Sequence, residues 1–313
     1  MKSECFLKRI EDYLLEGIFP GCEFAILKNA VWKDFCFGNA SVLPKKVDLK
    51  PGKLWDMASV SKVLSVGTLL THQVFEREID LDQSLRYYYP IWHEKTVTVR
   101  QLLTHTSAID PYIENRERMS FTELAQAMNH LAVKEQKEFN YSDVNFILLG
   151  FLLEYQSKKS LSELSQELFQ SMGMSETGYG PVKNAVPMVY NQEIGQVHDP
   201  KARVLGKHCG SAGLFSSLTD LKKFVSVYLS NKKYLELNQN FSKVKGNSRS
   251  LAWAHLNKDW LIHTGYTGTF LMINLKEKEA VIFLSNRIHL KDERQKWIQD
   301  RNLLIQDFLK SFK

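Results

Sequence analysis

Segments with β-strand character lie near both ends of this chain, and helical patterns dominate the long stretch between them. Near the start, residues 21–27 and 31–38 are rich in aromatic and aliphatic side chains, and the short gap between them predicts a β-hairpin. Further strands are predicted at 260–263, 269–275 and 280–284, before a closing helix. Strands so far apart in sequence share a sheet only if the chain leaves the sheet and returns. We therefore predict a discontinuous sheet domain with a helical domain inserted into it.

Helix-start signals are concentrated in the middle of the chain. Thr98, Ser120 and Ser160 are each followed three positions later by Glu or Gln, which is the capping-box pattern. Apolar residues at helical spacing predict two more helices, over 60–76 and 144–154. A series of predicted helices between two groups of strands indicates a separate domain in which the helices pack against one another.

The domain boundaries follow from these patterns. We predict that residues 1–58 and 209–313 together form the α/β sheet domain and that residues 59–208 form the mainly helical domain, with the active site between the two. The chain has 313 residues, of which 44% are hydrophobic, so it has enough apolar material for this arrangement.

Composition makes several functional classes unfavourable. The formal net charge of +6 comes without the dense arginine and lysine clusters of a nucleic-acid-binding surface, so no nucleic-acid partner is expected. No stretch reaches the ~20 apolar residues that cross a bilayer, and the four scattered cysteines do not resemble a disulfide framework. Charged residues interrupt the start of the chain, where we predict an amphipathic helix. These features lead us to expect a cytoplasmic protein without membrane insertion.

The segment Ser59-Val-Ser-Lys62 carries a chemical signal at the start of a predicted helix. Three positions separate the hydroxyl from the amine, so both project from one face of a helix. Unpaired N–H groups at a helix start favour a developing oxyanion, and a lysine whose pKa is lowered in a dry cleft helps to activate a serine. The pattern alone is weak, because segments beginning at Ser230 and Ser242 also match it.

Two further segments are candidates to complete such a site. Tyr141-Ser-Asp143 precedes a predicted helix, and a tyrosine can shuttle protons where nearby cations stabilise its phenolate. His263-Thr264-Gly265 ends a predicted strand, where small residues allow a substrate to lie against the strand edge. Taken alone, the first segment is equally an ordinary helix start and the second an ordinary turn.

In this order, the three segments resemble the active-site motifs of the superfamily that contains class C β-lactamases, penicillin-binding proteins and carboxylesterases. The resemblance runs from about residue 21 to residue 286 and includes the segments LLTHTSAI, GSAGLFSS and HTGYTGTF. It implies an α+β fold of the β-lactamase/transpeptidase type, in which an antiparallel sheet is flanked by helices and an all-helical domain is inserted.

The resemblance also implies a mechanism. Ser59 would attack an acyl carbonyl and form an acyl-enzyme, while Lys62 and Tyr141 share the proton transfers, with the general base undecided. The backbone N–H groups of Ser59 and Tyr266 would form the oxyanion hole. No cofactor is implied, and the histidines show no metal-binding spacing. The remaining implied substrate-binding positions are His263, Thr264, Gly265 and Asp143.

Two departures from the motifs affect the expected substrate. His263 stands where β-lactamases and penicillin-binding enzymes usually have lysine, and an unperturbed histidine is mostly neutral at pH 7. Asp143 stands where asparagine is usual, and an ionised carboxylate cannot donate a hydrogen bond. Both changes weaken recognition of a carboxylate-bearing antibiotic or peptide terminus. We also expect His263 to make activity on anionic substrates depend on pH between about 5 and 8.

Three functions remain open at this point. The departures favour a serine hydrolase of the carboxylesterase kind, acting on small acyl esters or amides. The second reading is a β-lactamase or a D-alanyl-D-alanine carboxypeptidase. The third is a binding protein that keeps the pocket without turnover. The sequence carries no indication of the oligomeric state.

Overall fold

A computed structural model of the chain describes residues 5–312. Its α-helices, numbered α1 to α10 in chain order, are Cys5–Leu15, Thr68–Phe75, Leu85–Tyr88, Val99–Leu103, Phe121–Asn129, Asp143–Ser157, Leu161–Ser171, Pro200–Leu205, Leu218–Ser230 and Arg294–Ser311. Its strands, numbered β1 to β10, are Gly21–Lys28, Val31–Ser41, Val47–Asp48, Trp55–Asp56, Gly178–Tyr179, Leu214–Ser216, Ala254–His255, Leu261–Thr264, Phe270–Asn274 and Glu279–Ser285.

A seven-stranded antiparallel sheet is assembled from both ends of the chain, in the order β3-β2-β1-β10-β9-β8-β7. Strands β1 and β2 form the predicted hairpin, and Asn29 and Ala30 in its tight turn both have positive φ. Strand β1 then pairs with β10, which places Phe24 opposite Phe283. The predicted α+β fold with an antiparallel sheet flanked by helices is therefore confirmed.

The two faces of this sheet are covered by different helices, because successive side chains of a strand point to opposite faces. On β1, Phe24 and Ile26 enter a cluster that also contains side chains of α1 and α10. Ala25 and Leu27 enter the larger cluster on the other face, where α9 packs against β1 and β10. The terminal helices thus close one face, and the rest of the helices lie on the other side of the sheet.

Helix starts follow the local predictions closely, with one exception. Thr98, Ser120 and Ser160 all form complete capping boxes. The segment predicted as one helix over 60–76 instead passes from a single 3₁₀ turn through a π-helical stretch, Val63–Gly67, before α2 begins. A Cβ atom at Gly67 would lie 2.7 Å from the carbonyl oxygen of Lys62 in the preceding turn, which is too close for a side chain. Glycine, which has no Cβ atom, avoids this clash.

A small second sheet was not predicted from the sequence. It contains β4, β6 and β5, in that order, and so connects the chain just before the nucleophile segment with two later segments. The proposed division into a sheet domain of 1–58 and 209–313 and a helical domain of 59–208 stays a prediction. No helix within residues 5–312 combines the length and the apolar composition that a bilayer crossing requires.

Candidate active site

Ser59 lies in a 3₁₀ turn that a buried carboxylate holds in place. Asp56 accepts hydrogen bonds at 2.8 Å from the backbone N–H groups of Ala58 and His198, and its own carbonyl accepts one at 2.8 Å from the Thr267 hydroxyl. Complete burial raises the pKa of the Asp56 carboxyl to about 6, although the two N–H bonds oppose the shift. The turn is therefore joined both to the 198 segment and to the loop after β8.

The amine of Lys62 is completely buried beside the Ser59 hydroxyl. Its Nζ donates to Ser59 Oγ at 2.8 Å, to Asp143 Oδ1 at 2.7 Å and to the Ser211 carbonyl at 2.9 Å. Three acceptors match the three hydrogens of an ammonium group. Burial by itself lowers the pKa of Lys62, but the charge of Asp143 and the nearby Tyr141 outweigh burial and raise it. The sequence-based expectation of a lowered lysine pKa is therefore wrong for this arrangement.

Asp143 bridges two lysines, of which the second was not identified from the sequence. Its Oδ2 lies 3.0 Å from the Nζ of Lys201, and that amine also contacts Asp199 Oδ2 at 2.9 Å. Burial opposes ionisation of Asp143, yet the charges of Lys62 and Lys201 hold its pKa below the usual range. The segment VHDPKA, which contains Lys201, is the sequence signal that could have identified it.

Tyr141 covers the lysine and rests on a buried histidine. Its ring centroid lies 5.2 Å from the Lys62 Nζ and 4.3 Å from the ring of His105. His105 Nδ1 faces the Ser142 N–H at 3.3 Å and the Asn145 side-chain amide at 3.1 Å. Burial lowers the pKa of His105 well below its usual value, so this neutral ring supports the tyrosine. Tyr141 itself is 42% exposed and faces the cavity described below.

His263 lies at the end of β8 and is 4% exposed, with its ring 6.4 Å from that of Tyr141. Burial, followed by the charges of Lys62 and Arg249, lowers the pKa of His263 well below 6.5. Burial therefore favours the neutral imidazole, which argues against the expected change of charge at this residue. Within the described residues, neither ring nitrogen has a hydrogen-bond partner.

The rest of the third motif packs directly against the nucleophile turn. A Cβ atom at Gly265 would lie 2.8 Å from the Met57 carbonyl oxygen, so a larger residue would push the strand end away from Ser59. Tyr266, which follows, has its ring 5.2 Å from that of His198 and its hydroxyl bonded to Asp292. The close approach requires glycine and places the strand edge beside the serine.

A cavity of about 700 Å³ brings these elements together. The predicted residues on its wall are Ser59, Tyr141, Asp143, Thr264, Gly265 and Tyr266. Residues on its wall that sequence reasoning did not place there are Arg116, Lys201, Arg287, Arg294 and Arg301. Within residues 5–312, no three His, Cys, Asp or Glu side chains are grouped as a metal site.

A serine hydroxyl bonded to a buried lysine, beside a tyrosine and the edge of an antiparallel sheet, defines a hydrolase of the serine β-lactamase type. The chain belongs to the Beta-lactamase family, whose family model matches residues 8–305.

Known proteins with similar sequences and structures agree with this assignment. Protein flp of Staphylococcus aureus (strain N315) is 23% identical over an alignment of 313 positions that covers 89% of this chain. The chain spans 62% of the length of that relative. A β-lactamase/D-alanine carboxypeptidase of Pseudomonas syringae is 19% identical, with a TM-score of 0.75 over 96% of this chain and 97% of the other. A D-alanine carboxypeptidase of Burkholderia cenocepacia is 16% identical, with a TM-score of 0.78 over 99% of each chain.

Proposed function

We propose that this chain is an ester hydrolase that forms an acyl-enzyme on Ser59. The observation that carries the proposal is the 2.8 Å hydrogen bond from the buried Lys62 amine to Ser59 Oγ, at the wall of a cavity large enough for a small acyl ester. Family membership supports a serine hydrolase but leaves the substrate open. The ester preference rests on the neutral His263 and on Asp143, which both differ from the residues usual in β-lactam-recognising enzymes.

In the proposed acylation step, Tyr141 acts as its phenolate and takes the proton of Ser59. Lys62 already carries three hydrogens and donates one of them to Ser59 Oγ, so it is not poised to accept another. Its positive charge lies 5.2 Å from the centroid of the tyrosine ring and faces that phenolate. As Oγ bonds to the acyl carbon, the ester C–O bond breaks and the departing alcohol receives the proton.

Deacylation reverses the proton path with water as the nucleophile. Tyr141 removes a proton from water, the hydroxide attacks the acyl carbon, and the bond to Ser59 breaks as the serine regains its proton. The backbone N–H groups of Ser59 and Tyr266 are proposed to stabilise the oxyanion in both steps, since both residues line the same cavity. Thr264 and Gly265 are proposed to align the substrate along the strand edge.

A second candidate function is hydrolysis of β-lactams or of D-alanyl peptide termini. It is favoured by the similar solved structures, which are described as β-lactamases and D-alanine carboxypeptidases. Identities below 20% mean that these structures support the fold rather than the substrate. The cytoplasmic setting expected from the sequence remains a prediction as well.

The test compares p-nitrophenyl acyl esters with nitrocefin. We expect the purified chain to hydrolyse the esters faster, and Ser59→Ala to abolish both the turnover and the mass increase caused by a fluorophosphonate label. Ser230→Ala is the matched control, because Ser230 begins a second serine–lysine pattern at the exposed end of α9. Faster nitrocefin turnover would replace the ester proposal with the second candidate, and label retained in Ser59→Ala would contradict the assigned nucleophile.

A further inference from the structure

We infer that Arg249 is a positioning residue of the proposed reaction, and that its buried guanidinium supplies the counter-charge for the Tyr141 phenolate. This inference rests on the proposed function and adds a residue to its acylation step. Arg249 lies in the segment before β7, where hydrogen bonds hold its backbone. Its N–H donates to the Asn240 side chain at 3.0 Å, and its carbonyl accepts from the Phe241 N–H at 2.8 Å. The side chain therefore extends from a fixed backbone position.

The guanidinium of Arg249 is buried without a counter-charge. The residue is 8% exposed, and no carboxylate of residues 5–312 lies within ion-pair distance of it. Its Nε has no hydrogen-bond partner among these residues, and the guanidinium carbon lies 5.1 Å from the ring centroid of Phe139. Burial lowers the pKa of Arg249 to about 10, so the group keeps its charge at neutral pH. A buried charge without a partner destabilises a fold, so its presence points to a negative charge that forms nearby.

The neighbours of Arg249 lead to Tyr141. The ring of Phe139 lies 6.4 Å from the ring of His105, which in turn lies 4.3 Å from the ring of Tyr141. The charge of Arg249 helps to lower the pKa values of His105 and of His263, whose ring is 6.4 Å from that of Tyr141. Tyr141 itself opposes the effect of burial on the pKa of Arg249. The guanidinium therefore acts on the surroundings of the phenol from the segment before β7.

The other charges beside Tyr141 already balance one another. Two cations and two carboxylates are linked by ion pairs of 2.7 to 3.0 Å. These residues are Lys62, Lys201, Asp143 and Asp199. The remaining titratable neighbours are His105 and His263, and burial lowers the pKa of both. A phenolate would add one negative charge to this balanced set, and Arg249 carries the positive charge that matches it.

Arg249 acts through Tyr141 and exchanges no proton itself. Its charge favours the phenolate before the proton of Ser59 Oγ moves to the tyrosine oxygen, and the departing alcohol later receives that proton. The third motif has His263 where lysine is usual, so no permanent charge is available from that position. The cation comes instead from a different segment of the chain.

The first test is the pH dependence of Arg249→Met, which removes the charge and keeps an unbranched apolar side chain beside Phe139. We expect the ascending limb of kcat/KM for the neutral ester p-nitrophenyl acetate to move to higher pH, with turnover below its midpoint reduced roughly two- to tenfold. Arg249→Lys should keep the wild-type limb. Arg100→Met is the matched control, because Arg100 also approaches Phe241 but is neutralised by Asp82 at 2.8 Å.

Three results would overturn the inference. An unchanged limb in Arg249→Met would show that the guanidinium does not act on the base. A loss confined to the anionic ester 4-acetoxybenzoate, with the neutral 4-acetoxybenzamide unaffected, would mean that Arg249 binds substrate. A purely structural role would appear as a lower free energy of unfolding in urea together with an unchanged limb. We expect Arg249→Met to be at least as stable as the wild type, because it removes an unpaired buried charge.

A titration separates this inference from the proposed function. The ultraviolet absorption of tyrosinate is followed against pH in Ser59→Ala, and the same titration with Tyr141→Phe added is subtracted. The difference reports the phenolate of Tyr141 even if the chain hydrolyses no ester. We expect its midpoint to move to higher pH when Arg249→Met is added and to stay in place with Arg100→Met. An equal midpoint with and without Arg249→Met would overturn the inference whatever the substrate.

Discussion

Two lysines, Lys62 and Lys201, share the carboxylate of Asp143 beside the serine. Replacing any one of these three residues should change the pH dependence of the reaction. Asp143 replaces a neutral amide of the related motifs, and the structure supplies Lys201 as a second cation for it. Asp143 and Tyr141 raise the pKa of Lys62, and the charge of Lys62 in turn helps to lower the pKa values of His105 and His263. An additional carboxylate alone would bind the proton of Lys62 more tightly, and Lys201 offsets this effect.

Lys201→Met should move the ascending limb of the pH–rate profile to higher pH. Loss of a cation beside Asp143 makes deprotonation near Ser59 more costly, so the pKa that controls acylation rises. The measurement is kcat/KM for a neutral ester between pH 5 and 10. Lys201→Arg keeps the positive charge and should therefore show the wild-type pH–rate profile. If Lys201 had only a structural role, the profile would not depend on the charge at this position.

Asp143→Asn should move the same limb in the opposite direction. Removal of the carboxylate leaves the cations of the cluster without a counter-charge, so deprotonation near Ser59 becomes easier and the controlling pKa falls. Lys223→Met provides the control, since it breaks an ion pair with buried Asp220 at 2.9 Å outside the cavity. A shift in the same direction for Asp143→Asn and Lys201→Met would refute the shared-carboxylate account.

At the scale of elements, local hydrogen bonds explain why several helices start where the sequence predicted. A capping box satisfies N–H groups at the first turn with side chains only three residues apart, so the signal is independent of the rest of the fold. The boundaries of α6 also lie within a few residues of the prediction. The π-helical stretch 63–67 was missed, although a Cβ atom at its Gly67 would lie 2.5 Å from the Cβ of the distant Ala252, a contact that no local pattern shows.

Ser160→Ala should destabilise the protein by about 1 kcal/mol without changing the activity of folded molecules. The Ser160 side chain accepts from the Glu163 N–H at the start of α7, and loss of such a cap typically costs this amount. Urea unfolding gives the free energy, and ester turnover gives the activity. Ser162→Ala, within the same helix but without a capping role, should leave stability nearly unchanged; equal destabilisation by both variants would argue against the cap.

At the scale of the whole molecule, the two chain ends are held together by one aromatic cluster. Phe308 of α10 stacks on Phe6 of α1 at 5.0 Å and lies 5.7 Å from Phe24 of β1 and 6.2 Å from Phe283 of β10. Arg301, which lines the cavity, belongs to the same terminal helix. Packing far from Ser59 therefore positions one wall of the candidate site.

Phe308→Ala should destabilise the protein by about 3–5 kcal/mol, because a fully buried aromatic side chain is replaced by a cavity. The free energy of unfolding in urea is the measurement. Leu303→Ala on the same helix is the control, since Leu303 is 44% exposed and its loss should cost less than about 0.5 kcal/mol. A small effect for Phe308→Ala would mean that α10 does not depend on this cluster.

Short sequence patterns predict the secondary-structure elements and the candidate chemistry. Strand alternation and capping boxes act between near neighbours, so the hairpin, the helix starts and the antiparallel sheet made from both chain ends could be predicted. The motifs around Ser59, Tyr141 and His263 likewise appear as short patterns, and the structure places all three around one cavity.

The electrostatics of that cavity depend on the tertiary structure. The raised pKa of Lys62, the second cation Lys201, the lowered pKa of His263 and the lowered pKa of Arg301 depend on burial and on charges brought from segments far apart along the chain. A pKa responds to the sum of desolvation and all nearby charges. That sum is defined by distances through space, which a pattern along the chain does not contain.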